Sequence, residues 1–134
     1  MKNFKILNHP TDLKVKSWGQ DLPILFANLV DGMFYGVTEK LGQGKEKINF
    51  EIEGAPDNET LLVNFLNAIW VLGFGKNSAI GQIKFNKFGL DGIAGEGKLL
   101  SVSAWKAEVK AATFYNLKIK RTKDGFETTV VFDI

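Results

Sequence analysis

The acidic groups that stand closest together in the sequence lie at its C-terminal end. Asp133 and the α-carboxylate of Ile134 put two anionic groups on consecutive residues. Their oxygens suit hard cations such as Ca²⁺ or Mg²⁺ better than soft metals. A further carboxylate is needed from elsewhere, and Asp12 is the leading candidate because it stands in a polar loop between two strand-like segments. Taken alone, these residues leave two interpretations open, a cation site and a set of solvated carboxylates, and the solvated carboxylates are the favoured one.

His9, the only histidine, stands three residues before Asp12. Histidine titrates near neutrality, so this side chain suits a metal ligand or an acid/base group. A lone histidine before a proline more often packs a loop, and this structural role is the favoured interpretation.

The composition excludes several kinds of site. The 134-residue chain has no cysteine, which excludes disulfide scaffolds, zinc fingers, thiol nucleophiles and iron–sulfur clusters. No serine is marked as a nucleophile beside a histidine and an acid, so an ordinary hydrolase is a poor interpretation. The glycine-containing segments match neither a phosphate loop nor a dinucleotide fingerprint. Any chemistry must therefore use oxygen ligands or the groups of another molecule.

The charge pattern gives little support for direct nucleic-acid binding. The net charge is only +2, whereas nucleic-acid-binding domains are usually strongly basic. Six basic residues do cluster in the second half: Lys106, Lys110, Lys118, Lys120, Arg121 and Lys123. No aromatic stacking motif accompanies them, so a solvated outer face of a sheet is favoured over an RNA-binding surface.

No segment predicts contact with a membrane. The sequence lacks a run of about 20 apolar residues, and its start lacks the apolar stretch of a secretory signal. We therefore expect a cytoplasmic protein.

The apolar periodicity predicts an α+β fold. Period-two alternation predicts strands near residues 4–6, 13–15 and 48–52. Apolar residues spaced by three and four predict amphipathic helices that begin after Asp21 and Asp57, each Asp serving as N-cap. Five further strand-like segments follow: 80–88, 90–103, 107–114, 117–121 and 126–132. The prediction is one domain over residues 1–134, a mostly antiparallel β-sheet covered by two amphipathic α-helices.

The last hairpin connects this sheet to the acidic C-terminal end. Asp124 and Gly125 form a favoured two-residue turn, which would pair Arg121 with Thr128. In that register Asp133 lies at the end of the sheet, on its more polar face.

Three segments together resemble the archease family. His9-Pro10-Thr11-Asp12 is similar to that family's early His-Thr-Ala-Asp segment. Residues 61–67, Leu-Leu-Val-Asn-Phe-Leu-Asn, are similar to its Leu-Leu-Val-Asp-Trp-Leu-Asn helix. Residues 108–114, Glu-Val-Lys-Ala-Ala-Thr-Phe, lead into a hairpin that ends in Asp-Ile. The segments follow in the family's order and span nearly the whole chain.

The resemblance implies a small protein without catalysis of its own, an activator or chaperone-like cofactor of the tRNA-splicing RNA ligase. That ligase joins RNA ends bearing a 2′,3′-cyclic phosphate or a 3′-phosphate to 5′-hydroxyl ends. The family's accessory protein promotes guanylylation and multiple turnover of the ligase. RNA is then contacted only indirectly, through the ligase.

The resemblance also makes the cation site the favoured interpretation of the acidic residues. Carried over residue by residue, the divalent cation contacts Asp12, Asp133 and the carboxylate of Ile134, with Ca²⁺ expected first and Mg²⁺ or Mn²⁺ as alternatives. Several positions depart from the family pattern. Asn64 replaces an Asp and Tyr115 replaces a His, Pro10 and Thr11 alter the first motif, and residues 104–107 lack the His-Glu type sequence often found there. If Asn64 faces the cation, the affinity for the cation is lower than in the family, because an amide replaces a charged carboxylate. If Asn64 faces a partner protein, recognition of that partner has diverged.

Two other functions stay open. A stand-alone metal-dependent phosphoester hydrolase would turn over its substrate unaided, and a small RNA-binding module would bind RNA with strong salt dependence. The missing nucleophile counts against the first and the small net charge against the second. The oligomeric state is not determined by the sequence.

Overall fold

The structure is a computed structural model that describes residues 3–7 and 11–134. Helices and strands alternate in the first half, and strands alone form the second half. In chain order the elements are β1 (Phe4–Leu7), β2 (Asp12–Gly19), α1 (Leu22–Val37), β3 (Lys47–Glu53), α2 (Asn58–Phe74), β4 (Ser78–Gly89), β5 (Gly92–Ser101), β6 (Ala111–Ala112), β7 (Lys120–Thr122) and β8 (Gly125–Asp133). The predicted α+β class, with two helices and mostly antiparallel strands, is confirmed.

The strands form two sheets where the sequence predicted one. The larger sheet has the order β1-β2-β8-β6, with β7 also paired to β8. The smaller sheet has the order β3-β5-β4. Alternation of apolar and polar residues shows which face of a strand is buried, but it does not show which strands pair, so the division into two sheets was not predictable from the pattern.

Each helix begins at the Asp that the sequence predicted as its cap. The Asp21 carboxylate accepts a 2.9 Å hydrogen bond from the Ile24 N–H, and the Asp57 carboxylate accepts one of 2.7 Å from the Thr60 N–H. These bonds satisfy backbone donors that a helix start leaves unpaired. The Thr60 N–H bond also lowers the pKa of Asp57. In the part of the chain that the structure describes, neither helix is long and apolar enough to cross a membrane.

The core lies between the helices and the inner faces of the two sheets. Fully buried aromatic rings join the layers: Phe26 of α1 lies 5.6 Å from Phe65 of α2, measured between ring centroids. From the larger sheet, Val15, Val130 and Phe132 have no exposed surface. The paired strands β2 and β8 are therefore held in the core by fully buried residues of both strands.

Two predictions for the second half were wrong. Residues 107–114 were predicted to be a strand, but only Ala111–Ala112 pairs. The last hairpin is shifted by two residues, since Thr122 pairs with Gly125 and Arg121 pairs with Phe126. Gly125 has a φ of 139°, and an added Cβ would clash with the Gly19 carbonyl oxygen. Because Gly125 lies this close to Gly19, it is part of the ladder, and the local sequence around the turn does not show this contact. The two-residue shift leaves every side chain on its predicted face.

Candidate metal centre

Asp12 and Asp133 lie directly opposite each other in the antiparallel ladder of β2 and β8. On its other side, Asp133 is opposite Ala111 of β6. Opposed residues in an antiparallel pair point to the same face, with Cβ atoms about 4.5–5.5 Å apart. The fold therefore brings together two of the three residues that the sequence predicted for a cation site, and Ile134 follows immediately.

The core determines this arrangement. The neighbouring opposed pair is Leu13 and Phe132, which are 5% and 0% exposed. Because side chains alternate between faces along a strand, Asp12 and Asp133 both point away from the core. A slip of one residue would bury both carboxylates and expose Phe132, so packing specifies the register strongly.

The two carboxylates differ in their exposure. Asp133 is exposed and Asp12 is half-buried, with its Oδ1 atom shielded from solvent. The backbone oxygen of Asp133 accepts a 2.8 Å hydrogen bond from the Lys110 N–H, which ties β8 to the segment before β6. Ile134 is 37% exposed. The acidic end of the ladder is thus anchored by its backbone and open to solvent on one side.

Helix α2 supports the neighbouring strand β6. The Asn67 Oδ1 atom accepts a 2.7 Å hydrogen bond from the Ala112 N–H, and Ala112 pairs with Phe132. In the sequence, Asn67 stood out only as part of the motif at residues 61–67. Its position as a polar residue beside the apolar stripe of a helix is the signal that could have suggested its structural role. Asn64 lies on the exposed side of α2, and Tyr115 is 65% exposed between β6 and β7.

The donor set fits a hard cation. Like charges placed directly opposite each other destabilise a ladder, and a cation between them removes that repulsion. Asp12, Asp133 and Ile134 would supply three carboxylates with two oxygens each, while Ca²⁺ takes about 6–8 oxygen ligands, including water. Within residues 3–7 and 11–134, no three His, Cys, Asp or Glu side chains form a metal-binding group. The predicted set needs only two such side chains, because its third donor is a main-chain carboxylate.

The sequence also drew attention to His9 and to a cluster of basic residues. His9 lies outside the residues that the structure describes, as do Asn8 and Pro10. The six basic residues of the second half, Lys106, Lys110, Lys118, Lys120, Arg121 and Lys123, are all exposed. Arg121 lies over the Phe126 ring, 5.5 Å from its centroid. Their exposure agrees with a solvated outer surface.

Two relatives cover almost the whole chain. The protein archease of Methanosarcina barkeri is 29% identical over 149 residues, which cover 99% of this chain and 97% of the relative. The protein archease of Archaeoglobus fulgidus is 27% identical over 136 residues, which cover 98% of each chain.

Two solved structures share the fold. The solution structure of Methanobacterium thermoautotrophicum protein 1598 has a TM-score of 0.68 and 22% identity, with all of both chains covered. The crystal structure of an archease, described as a possible chaperone, from Thermotoga maritima has a TM-score of 0.67 and 23% identity, with 97% of this chain and 96% of that chain covered. Residues 4–134 match the model of the Archease protein family (MTH1598/TM1083). Because this match spans almost the entire sequence, the protein belongs to the archease family.

Proposed function

We propose that this protein is a non-enzymatic accessory factor that activates an RNA-splicing ligase, promoting its guanylylation and multiple turnover. The observation that carries the proposal is the family match over residues 4–134. The ligase partner follows from the resemblance to the family. The exposed acidic end of the β2–β8 ladder gives this chain a candidate surface for the role.

The proposal includes a divalent cation held by Asp12, Asp133 and the carboxylate of Ile134. The opposed register of the two aspartates and the oxygen-only donor set support it. Ca²⁺ is the first expectation, with Mg²⁺ or Mn²⁺ as alternatives. When bound, such an ion supplies positive charge that can bridge protein carboxylates and phosphate oxygens. Asp12, Asp133 and Ile134 would hold the cation at the acidic end of the ladder, and this end would face the ligase or its nucleotide.

The proposal is tested by reconstitution with the ligase of the same organism. We expect the wild-type protein to increase formation of the ligase–guanylate adduct, and Asp12→Asn or Asp133→Asn to reduce that stimulation at least about tenfold, since each removes one charged ligand. A matched control is Glu127→Gln, on the same face of the same ladder, where Glu127 forms a 3.3 Å ion pair with Lys16. This control should stimulate like the wild type.

Two results would contradict different parts of the proposal. If the wild-type protein leaves adduct formation and turnover unchanged, the accessory function is wrong. If both aspartate variants stimulate as well as Glu127→Gln, the function stands and the cation site is wrong. The protein alone should neither hydrolyse phosphoesters nor bind RNA with the steep salt dependence of an RNA-binding module.

A further inference from the structure

Strand β3 forms one edge of the smaller sheet and is paired on one side only. The order β3-β5-β4 leaves its other side without a neighbouring strand among the described residues. The edge runs from Lys47 to Glu53, contains no proline, and pairs with β5 without a shift in register. β3 therefore offers a regular row of backbone donors and acceptors, the kind of edge to which a further strand can pair.

The opposite edge of the same sheet is irregular. β4 pairs with β5 with two shifts in register, one between Gly81 and Lys84 and one between Phe85 and Lys87. Gln82, inside the first shift, has a φ of 52°. Irregularities of this kind are one way in which proteins protect a sheet edge against further pairing. Of the two edges, β3 is thus the one that can accept a partner strand.

The hydrogen bonds to β5 show which backbone groups of β3 are left over. Just before the strand, the Leu99 N–H donates a 2.9 Å hydrogen bond to the Glu46 carbonyl oxygen. Hydrogen-bonded and non-hydrogen-bonded pairs alternate in an antiparallel ladder, so every second residue from the start of β3 directs its backbone groups away from β5. These residues are Lys47, Asn49, Glu51 and Glu53.

The side chains of the same four residues lie exposed on the outer face of the sheet. The positive charge of Lys47 stands at the start of the strand, and the negative charges of Glu51 and Glu53 stand at its end. Lys47 Nζ lies 3.5 Å from Glu96 Oε2 on β5, whereas neither Glu51 nor Glu53 has an ion pair among the described residues. Because the two ends carry opposite charges, the strand is complementary to an antiparallel copy of itself.

We propose that two copies of this protein associate through β3, with the two antiparallel strands related by a two-fold axis at Phe50. Each Lys47 then lies opposite Glu53 of the second copy. The opposed positions are 47 with 53, 48 with 52, 49 with 51, and 50 with itself. The backbone groups that point away from β5 meet one another in this register, as an antiparallel ladder requires. The two three-stranded sheets become one continuous sheet.

Neighbouring registers fit less well. A shift of two residues in one direction places Glu51 opposite Glu51 of the second copy, and like charges directly opposite each other destabilise a ladder. A shift of two residues in the other direction leaves Ile52 and Glu53 beyond the end of the partner strand. Of these three registers, the one centred on Phe50 pairs the whole strand and opposes no like charges.

The inner face of β3 contributes apolar contact. Ile48, Phe50 and Ile52 are 9%, 6% and 7% exposed, whereas Ile93 of the central strand β5 is 1% exposed, so a paired strand would cover surface that β5 leaves open. A strand of seven residues is only about 23 Å long. The interface is therefore smaller than the roughly 1,200–2,000 Å² of a stable complex. We expect a dimer that dissociates on dilution, and its formation depends on neither the cation nor the ligase.

The test is sedimentation equilibrium of the full chain at concentrations from about 10 μM to about 1 mM, the range that resolves weak association. The mean mass should rise with concentration from 14.9 kDa towards twice that value. Lys47→Glu and Glu53→Lys each create like charges at both symmetry-related contacts. Each should weaken the dimer at least about fivefold.

A charge swap tests the register. The double variant K47E/E53K restores opposite charges at both contacts and should dimerise like the wild type. An equimolar mixture of the two single variants should form a heterodimer, because each variant supplies the charge that the other lacks.

The controls are Lys123→Glu and Asp124→Lys, which make the same charge changes in the exposed turn between β7 and β8. Both should dimerise like the wild type. Melting curves verify that every variant folds; loss of the exposed ion pair between Lys47 and Glu96 should affect stability little.

Three results would overturn the proposal. A mean mass that stays at 14.9 kDa over the whole range would show that the edge does not self-associate. A dimer that neither single variant weakens, or that the controls weaken equally, would place the interface elsewhere. A dimer that both single variants weaken, but that neither the double variant nor the mixture restores, would contradict the opposition of Lys47 and Glu53.

Discussion

At the residue scale, Asp31 is a carboxyl group whose ionisation opposes folding. Burial raises its pKa from an ordinary value of 3.8 to about 6 in the folded protein. Between these values the folded state holds more protons than the unfolded state, so this group makes the protein less stable as the pH rises. The destabilisation is absent below about pH 4 and complete above about pH 6.

Replacement of Asp31 by Asn should therefore raise the melting temperature above pH 6, because the amide carries no charge to desolvate. Below pH 4 the wild-type carboxyl is also uncharged, and the difference should disappear. Melting curves at both pH values test this. Asp124→Asn, at the exposed turn between β7 and β8, is the control and should show no such pH-dependent gain. A gain of the same size at both pH values would contradict the explanation.

The acidic residues of the candidate site and Asp31 differed in how well the sequence could predict their roles. Asp12 and Asp133 were suggested by chemistry and by resemblance, but their opposition was not predictable, because it depends on the pairing of β2 with β8. Asp31 was not singled out, because within the helical pattern it is simply a polar residue beside an apolar stripe. The rise in its pKa comes from burial in the folded protein, which a local sequence pattern does not show.

At the element scale, α2 holds the irregular segment after β5 by two polar contacts. Asn67 accepts from the Ala112 N–H, and Glu59 accepts a 3.0 Å hydrogen bond from the Ile119 N–H. Both backbone donors are therefore satisfied by a helix side chain and not by a neighbouring strand. The helix starts were predictable because each capping Asp accepts a hydrogen bond from a residue only three positions further along the chain. Strand pairing and the shifted turn were not, because they depend on residues that are distant in the sequence, such as Gly19.

Removal of the Asn67 side chain should leave a buried backbone donor without its acceptor. We expect Asn67→Ala to lower the free energy of unfolding by about 1–3 kcal/mol. The control is Asn64→Ala, which lies nearly one turn away on the exposed side of the same helix and should change stability by less than about 0.5 kcal/mol. Urea denaturation measures both. Equal effects of the two substitutions would show that the bond to Ala112 is not the cause.

At the scale of the whole molecule, the larger sheet brings the two ends of the sequence together. Asp12 stands at the start of β2, and Asp133 at the end of β8, so a bound cation would join segments that are far apart along the chain. A ligand that binds only the folded state stabilises it, by about 2.7 kcal/mol when its concentration is one hundred times the dissociation constant.

Calcium should therefore raise the melting temperature of the wild-type protein relative to a sample with chelator. A short extension after Ile134 converts the proposed carboxylate ligand into an amide and should reduce this shift. Ile134→Ala keeps the carboxylate and removes only the side chain, so it should retain the shift. Calorimetric titration with CaCl₂ should give the same order of affinities. A shift that is unaffected by the extension would contradict a role for the Ile134 carboxylate.

The position of β8 also has a consequence for synthesis of the protein on the ribosome. This strand lies inside the larger sheet, where it pairs with β2, β6 and β7, and Val130 packs opposite Val15 with no exposed surface. β1 and β2 are made first and α1 packs against their inner face, but the edge of β2 that β8 occupies has no partner strand until β8 has been translated. Open strand edges are templates for aggregation. The larger sheet is thus incomplete until β8 has been made, and its native pairing is delayed until then.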